Sequence, residues 1–314
     1  MPTAETAAQF ASGSRYRQLL DAARQFSPIR TAIVHPCDAV SLLSAMEARQ
    51  AGLIEPVLVG PRAKIIRAAA DAGCELKDVE IVDVPHSHAA AERAVAMGRE
   101  CKVEALMKGA LHTDELMESV VDKTGGLRTE RRMSHVFVLD VPHYPKPLFI
   151  TDAAVNIAPD LDAKRDIVRN AIDLAHALGN PSPKVAILAA VETVSAKMQS
   201  TLDAAALCKM ADRQQIVGGI LDGPLAFDNA ISSEAARSKG IVSPVAGQAD
   251  ILVVPDLEAG NMLVKQLVYL GGARAAGIVL GARLPIILTS RADDDEARLA
   301  SCALAQLLVR RRET

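Results

Sequence analysis

Aromatic side chains are scarce in this 314-residue chain: they make up 3% of it, and tryptophan is absent. Recognition by stacking on bases or sugars is therefore not a theme of its chemistry. There is no basic excess either. A net charge of −3 leaves no electrostatic footprint for nucleic acid. No run of 18 or more apolar residues occurs, and the best candidate, residues 275–289, is interrupted by Arg283 and Pro285. That excludes a membrane-spanning helix.

The five cysteines are widely spaced and form no CxxC pair. This pattern reads as reduced thiols in a cytoplasmic protein and argues against a structural zinc site. The first fifteen residues lack a basic start followed by an apolar core, so they read as a loosely ordered lead-in rather than a secretory signal. Several catalytic signatures are missing as well. There is no GxSxG elbow, no GxGxxG after a strand, and no HExxH or HxxxH among the seven histidines.

What is present is aliphatic. Half of the residues are hydrophobic, mostly Ala, Val, Leu and Ile, which is ample for two cores in a chain of this length. Short β-branched runs alternate with alanine-rich helical patterns. Strands are expected at 31–34, 56–59, 81–84, 105–107, 135–139, 148–151, 185–188, 216–220, 251–254, 278–280 and 286–289. Helices such as 39–51, 89–100, 163–178, 201–210, 261–270 and 294–309 fall between them. This alternation predicts α/β architecture, with two parallel-sheet domains and a cleft between them as the default ligand site. The proline-rich residues 141–147 and the Leu284-Pro285 step are the expected breaks. They give a discontinuous first domain, 1–146 with 285–314, and an inserted second domain, 147–284.

Five junctions carry chemistry. The most informative is PIILTSRADDDEAR, residues 285–298, where an apolar strand delivers Ser290, Arg291 and four consecutive acids to a helix start. Such a start offers unpaired N–H groups and a positive dipole end, which suits phosphate. Ser followed by acids is also an ordinary cap, but a cation at Arg291 sits badly against the dipole. In ALMKGALHT, residues 105–113, Lys108 and Gly109 follow a strand, and Thr113 or Asp114 can cap the next helix. This is not a Walker loop, and a solvated lysine on a turn remains an alternative. GGLRTERRMSH, residues 125–135, gathers Arg128, Arg131 and Arg132, which can close on an anion or lie in solvent. DGPLAFDNA, residues 222–230, reads as a strand end with a Gly-Pro turn presenting Asp222 or Asp228. In PDLEAGN, residues 255–261, Asn261 reads as the cap of a new helix.

Taken together and in this order, ALMKGALHT, TDAAVNIAPDL (151–161), DGPLAFDNA, SPVAGQADILVVPDLEAGN (243–261) and LTSRAD (288–293) resemble the phosphate acetyl/butyryltransferase family. The likeness runs from about residue 28 to about residue 311, and the TDAAVNIAPDL and TSRAD forms lean toward the butyryl-type branch. It implies reversible acyl transfer between coenzyme A and inorganic phosphate, with acyl-CoA as substrate and no cofactor or metal. It also implies two α/β domains of the isocitrate/isopropylmalate dehydrogenase-like kind and a homodimer. Ser290 and Arg291 would be catalytic. Gly109 and Thr113, which match the family's GA-x-HT turn, would bind substrate, and the junctions above add Lys108, Arg128, Asp222 and Asn261 as substrate-binding candidates.

The chain departs from the family twice. Where acetyl-type members have an aspartate seven residues beyond the serine, this chain has Ala297, and Asp294, one turn earlier on the same face, is the expected substitute. No arginine follows the GA-x-HT turn within residues 114–119, leaving Lys108 or Arg128 as the replacement cation. Two other classes stay open on the sequence: a metal- and nicotinamide-dependent dehydrogenase on the same fold, and a non-catalytic acyl-CoA-binding module.

Overall fold

Apolar strands and helices alternate along nearly the whole chain. The computed structural model describes residues 14–288 and 294–312. The chain begins with α1 (Ser14–Ala23), β1 (Ile29–Val34), α2 (Ala39–Gln50), β2 (Ile54–Gly60) and α3 (Arg62–Asp71). Next come β3 (Glu80–Asp83), α4 (Ser87–Arg99), β4 (Ala105–Lys108) and α5 (Thr113–Val121). The middle third holds β5 (Ser134–Asp140), β6 (Leu148–Thr151), α6 (Leu161–Ala177), β7 (Lys184–Leu188) and α7 (Gln199–Asp212). It continues through β8 (Ile220–Leu225), α8 (Phe227–Ile231), α9 (Ser233–Ser238), β9 (Ile251–Val253) and α10 (Leu257–Tyr269). β10 (Arg274–Leu280), β11 (Ile286–Ile287) and α11 (Asp295–Arg312) complete it. Ser14 and Arg15, read as lead-in, open α1; the residues before them lie outside the described residues. No helix among the described residues is long and apolar enough to cross a membrane.

Two compact units emerge, divided at 131/132 and 275/276. The enclosing unit is residues 16–131 with 276–314, and the inserted unit is residues 132–275 with the described residues 14–15. The expected breaks at 146/147 and 284/285 fall elsewhere, for one physical reason. Residues 141–147 connect the antiparallel strands β5 and β6, whose register pairs Leu139 with Leu148. Leu284-Pro285 likewise lies between the antiparallel strands β10 and β11. Proline cannot donate to a ladder, so it collects in connections, and a hairpin loop satisfies that constraint as well as a linker does.

In the enclosing unit the strand order is β3-β2-β1-β4-β11-β10, parallel except for β10. Ile29, Ile33, Leu58, Leu106 and Met107 are fully buried, as the β-branched runs dictate. α11 is buried along residues 301–308, and its one amide there, Gln306, donates to the carbonyls of Phe26, Ser27 and Gly52 at 3.2, 3.0 and 3.4 Å. The inserted unit runs β5-β6-β9-β7-β8, parallel except for β5, around Leu139, Ile150, Ala186, Leu225, Leu252 and Val264. Strand pairing within each unit is thus mixed and mostly parallel. Lys108 ends β4 and Asp152 follows β6, each at the carboxyl end of a parallel strand.

Candidate active site

In the enclosing unit the junction after β4 is built by backbone pairing. Val34 and Lys108 end neighbouring parallel strands in register. Beyond them Gly109 N–H donates to the Val34 carbonyl and Ala110 N–H to the His35 carbonyl, both at 2.9 Å. A Cβ on residue 109 would stand 2.5 Å from the Val34 oxygen and 2.8 Å from the His35 oxygen, so only glycine fits. The Lys108 ammonium donates to the carbonyls of Gly109 and Leu111, both at 3.3 Å, strapping the turn that carries it. Burial pushes the thiol of Cys37, just beyond β1, up to about 11.

The cap of α5 is not Thr113 or Asp114. His112 takes that position, its N–H donating to Glu115 Oε2 at 3.1 Å, while Glu115 also accepts from Ser87 Oγ at 3.0 Å. Thr113 is the first helical residue and is exposed. Arg128 is exposed and pairs through its backbone with Ala282. Ser290 and Arg291, with Asp293, lie outside the described residues. Asp294 is exposed and caps α11, its Oδ1 accepting from Ala297 N–H at 2.8 Å. The plain capping reading of that acidic run is therefore realised at Asp294, with one carboxylate oxygen still uncommitted among the described residues.

The inserted unit builds its junction from side chains instead. Asp152 follows β6 and is 2% exposed. Its carboxylate accepts from Ala154 and Val155 N–H at 3.0 Å, from Asn156 N–H at 3.1 Å and from the Asn156 amide. Burial pushes this carboxyl up while those four donors pull it down, and burial dominates. The Asn156 amide also donates to the Met133 carbonyl at 2.8 Å, and its Oδ1 accepts from Arg132 Nε at 2.8 Å. Asp166 on α6 accepts from Arg132 N–H at 3.0 Å, and Asn170 donates to the Arg132 carbonyl at 2.9 Å.

Asn261 is not a helix cap. Asp256 caps α10, accepting from Ala259 N–H at 2.8 Å, and Asn261 lies inside the helix with its amide on the Ala153 carbonyl at 3.2 Å. α10 lies close to this turn because residue 260 is glycine: a Cβ there would meet Val254 Cγ2 at 2.7 Å and Ala153 Cβ at 2.8 Å. Asp222 also moves from its expected setting. The Asp-Gly-Pro sequence is no turn but part of β8 at the sheet edge, where Asp222 pairs in register with Ala186. Its carboxylate accepts from Gly223 N–H at 2.8 Å.

Of the three arginines in the 128–132 run, sequence reasoning singled out Arg128, yet Arg132 has a built environment. The signal was its position two residues before a buried strand. Asn229 was also missed: it is fully buried, donates to Glu192 Oε2 at 3.3 Å, and its Oδ1 has no partner among the described residues.

Comparison with known proteins gives this arrangement its context. A family model described as phosphate acetyl/butaryl transferase matches residues 85–306. A phosphate acetyltransferase of Rhizobium meliloti is 64% identical over 302 residues, covering 96% of each chain. A phosphate butyryltransferase of Clostridium acetobutylicum is 43% identical over 279 residues, covering 89% of this chain and 93% of that one. Among solved structures, a branched-chain phosphotransacylase from Enterococcus faecalis V583 superposes with a TM-score of 0.78 at 29% identity, covering 90% of this chain and 99% of that one. The acetyl-named relative is the more similar of the two, so the butyryl lean of the motifs does not carry over to the names.

Proposed function

This chain belongs to the phosphate acetyl/butyryl transferase family, and we propose that Ser290, Arg291 and Asp294 carry out its reaction, with Lys108, Gly109, Thr113 and Arg128 serving the substrates. The protein is an acyltransferase. It moves a short acyl group reversibly between coenzyme A and inorganic phosphate. In the direction of thioester synthesis the CoA sulfur attacks the acyl carbonyl, the C–S bond forms, the C–O bond to phosphate breaks, and phosphate departs with the electron pair. The thiol proton goes to a base. Asp294, with one oxygen held by the Ala297 N–H and the other uncommitted among the described residues, is that base.

The observation that carries this reading is the placement of Lys108 and Gly109 at the carboxyl end of the parallel strand β4, with Gly109 pressed against the end of β1. Arg291 and the Ser290 hydroxyl meet the tetrahedral oxyanion and the leaving phosphate. Holding sulfur and acyl phosphate together accounts for about 7–11 kcal/mol of the barrier. Neither metal nor prosthetic group is needed for a displacement of this kind. Asp222 and Asn261 serve as support on this reading: one lies within a strand, and the other ties α10 to the Asp152 turn. The two units are of the dehydrogenase-like α/β kind, and the protein works as a cytoplasmic homodimer.

The test is CoA release from acetyl-, propionyl- and butyryl-CoA, with and without phosphate, in the wild type and Arg291→Lys. Release should require phosphate, persist in the presence of a chelator, and nearly vanish in the variant, because an ammonium lacks the bidentate fork. Phosphate-independent hydrolysis would overturn the reading. A fully active Arg291→Lys would remove Arg291 from the site.

A further inference from the structure

Arg132 is held more firmly than an exposed arginine needs to be. Its N–H is fixed by Asp166 at 3.0 Å, its carbonyl by Asn170 at 2.9 Å, and its side-chain Nε by Asn156 at 2.8 Å. The residue that holds Nε is itself buried, 3% exposed. With its amide donating to the Met133 carbonyl and to Asp152, Asn156 has only its oxygen left to face Arg132. Asp152, 2% exposed and holding three backbone N–H groups, anchors the array. A carboxylate in place of Asn156 would neutralise the guanidinium. A neutral amide orients it and leaves its charge available.

No carboxylate pairs with the Arg132 guanidinium among the described residues. The acid that accepts its backbone N–H, Asp166, is already shared by Arg165 at 3.3 Å and Arg169 at 3.7 Å. With Nε committed, the two Nη groups form the edge that meets a phosphoryl group bidentately. Asn156 and Asp152 lie in the turn following β6, at the carboxyl end of a parallel strand, where α/β sheets bind ligands.

We infer that Arg132 is a substrate-binding residue, its guanidinium held at Nε by the buried Asn156 amide and offering its Nη groups to a phosphoryl group of the substrates. That group is either inorganic phosphate or a phosphate of coenzyme A. Asn156 and Asp152 are positioning residues acting through it. The inference rests on the acyltransfer reading above.

The experiment compares wild type with Arg132→Lys and Arg132→Gln, using acetyl-CoA, dephospho-acetyl-CoA and inorganic phosphate as substrates. Both variants keep the backbone contacts of residue 132 and should fold, melting somewhat below the wild type because the buried Asn156 oxygen loses its Nε donor. If Arg132 grips inorganic phosphate, the KM for phosphate rises about tenfold or more in Arg132→Gln, and kcat changes less. If it grips the CoA 3′-phosphate, the KM for acetyl-CoA rises instead, and the variant no longer distinguishes acetyl-CoA from its dephospho form. Asn156→Ala should raise the same KM. Should that variant misfold, restoration of Arg132→Ala by guanidinium chloride in solution carries the same information. Both KM values within about twofold of wild type in Arg132→Gln would overturn the inference. Were the wild type inactive as a transferase, calorimetric titration with CoA and with phosphate would still decide it: weaker binding in Arg132→Gln supports the role, and equal binding of both removes it.

Discussion

The two units bury very different things. Among the described residues the inserted unit hides Asp152, Lys164, Asp166, Asp203, Asp250 and His135, with several amides beside them. The enclosing unit hides Thr31, Ser44, Arg298, Ser301 and Gln306. A buried polar group is costly unless paired, and once paired it is locked into one arrangement. The inserted unit therefore has a side-chain scaffold, of which the Asp152–Asn156–Arg132 array is one arm. In the enclosing unit the turn after β4 is held by backbone contact, and Gly109 is the piece that permits it. One unit positions a guanidinium by side-chain hydrogen bonds, and the other positions a turn by backbone pairing, close packing and the Lys108 strap.

The contrast is broken most severely at Lys164. Its ammonium lies 2.6 Å from Asp203 Oδ2, with both side chains 7% exposed, and Gln199 donates to the other carboxylate oxygen at 2.8 Å. Lys164→Met leaves a buried charge uncompensated and should cost about 3–5 kcal/mol in urea unfolding. Adding Asp203→Leu should recover most of that loss. A single variant as stable as wild type would show that the scaffold is dispensable.

Gly109→Ala probes the other unit. The added Cβ meets carbonyl oxygens of β1 and the residue after it, which are backbone atoms and cannot swing away, so a loss of about 1–3 kcal/mol is expected, with activity falling as the turn shifts. Unchanged stability would mean the β4 turn is not held by that contact.

His135 gives the smallest effect and a pH signature. Burial drives its imidazole down to about 3 from an ordinary 6.5, and its Nδ1 has no partner among the described residues. Because the folded value is depressed, the stabilisation is complete above pH 6.5 and is lost as pH falls through the window toward 3. The loss is about 1.4 kcal/mol per unit. His135→Phe, beside the Phe137 ring at 4.2 Å, should flatten the unfolding free energy between pH 7 and pH 5.5. A slope equal to wild type would assign the acid sensitivity elsewhere.

Much of the architecture was legible because period-2 and 3.6-residue patterns report which face is buried. Residues 148–151 form β6 as read, and the helix read at 163–178 forms over 161–177. The misreadings share a cause. Gly-Pro at 223–224, read as a turn, continues β8 because an edge strand tolerates a missing donor. Asn261, read as a helix cap, follows a glycine that lies inside α10 to admit Ala153. The motifs pointed to the family and to the strand ends. They could not show that Arg132 is fixed, since its partners lie 24, 34 and 38 residues away in sequence. The Lys164–Asp203 pair was invisible for the same reason.

The most direct test of acyl transfer is phosphorus NMR of the purified protein incubated with acetyl-CoA and inorganic phosphate. The inorganic phosphate signal should decline as an acyl phosphate resonance grows, in step with free thiol, and added CoA should reverse the change. Thiol release with the phosphate signal unchanged and acetate as the only product would contradict it.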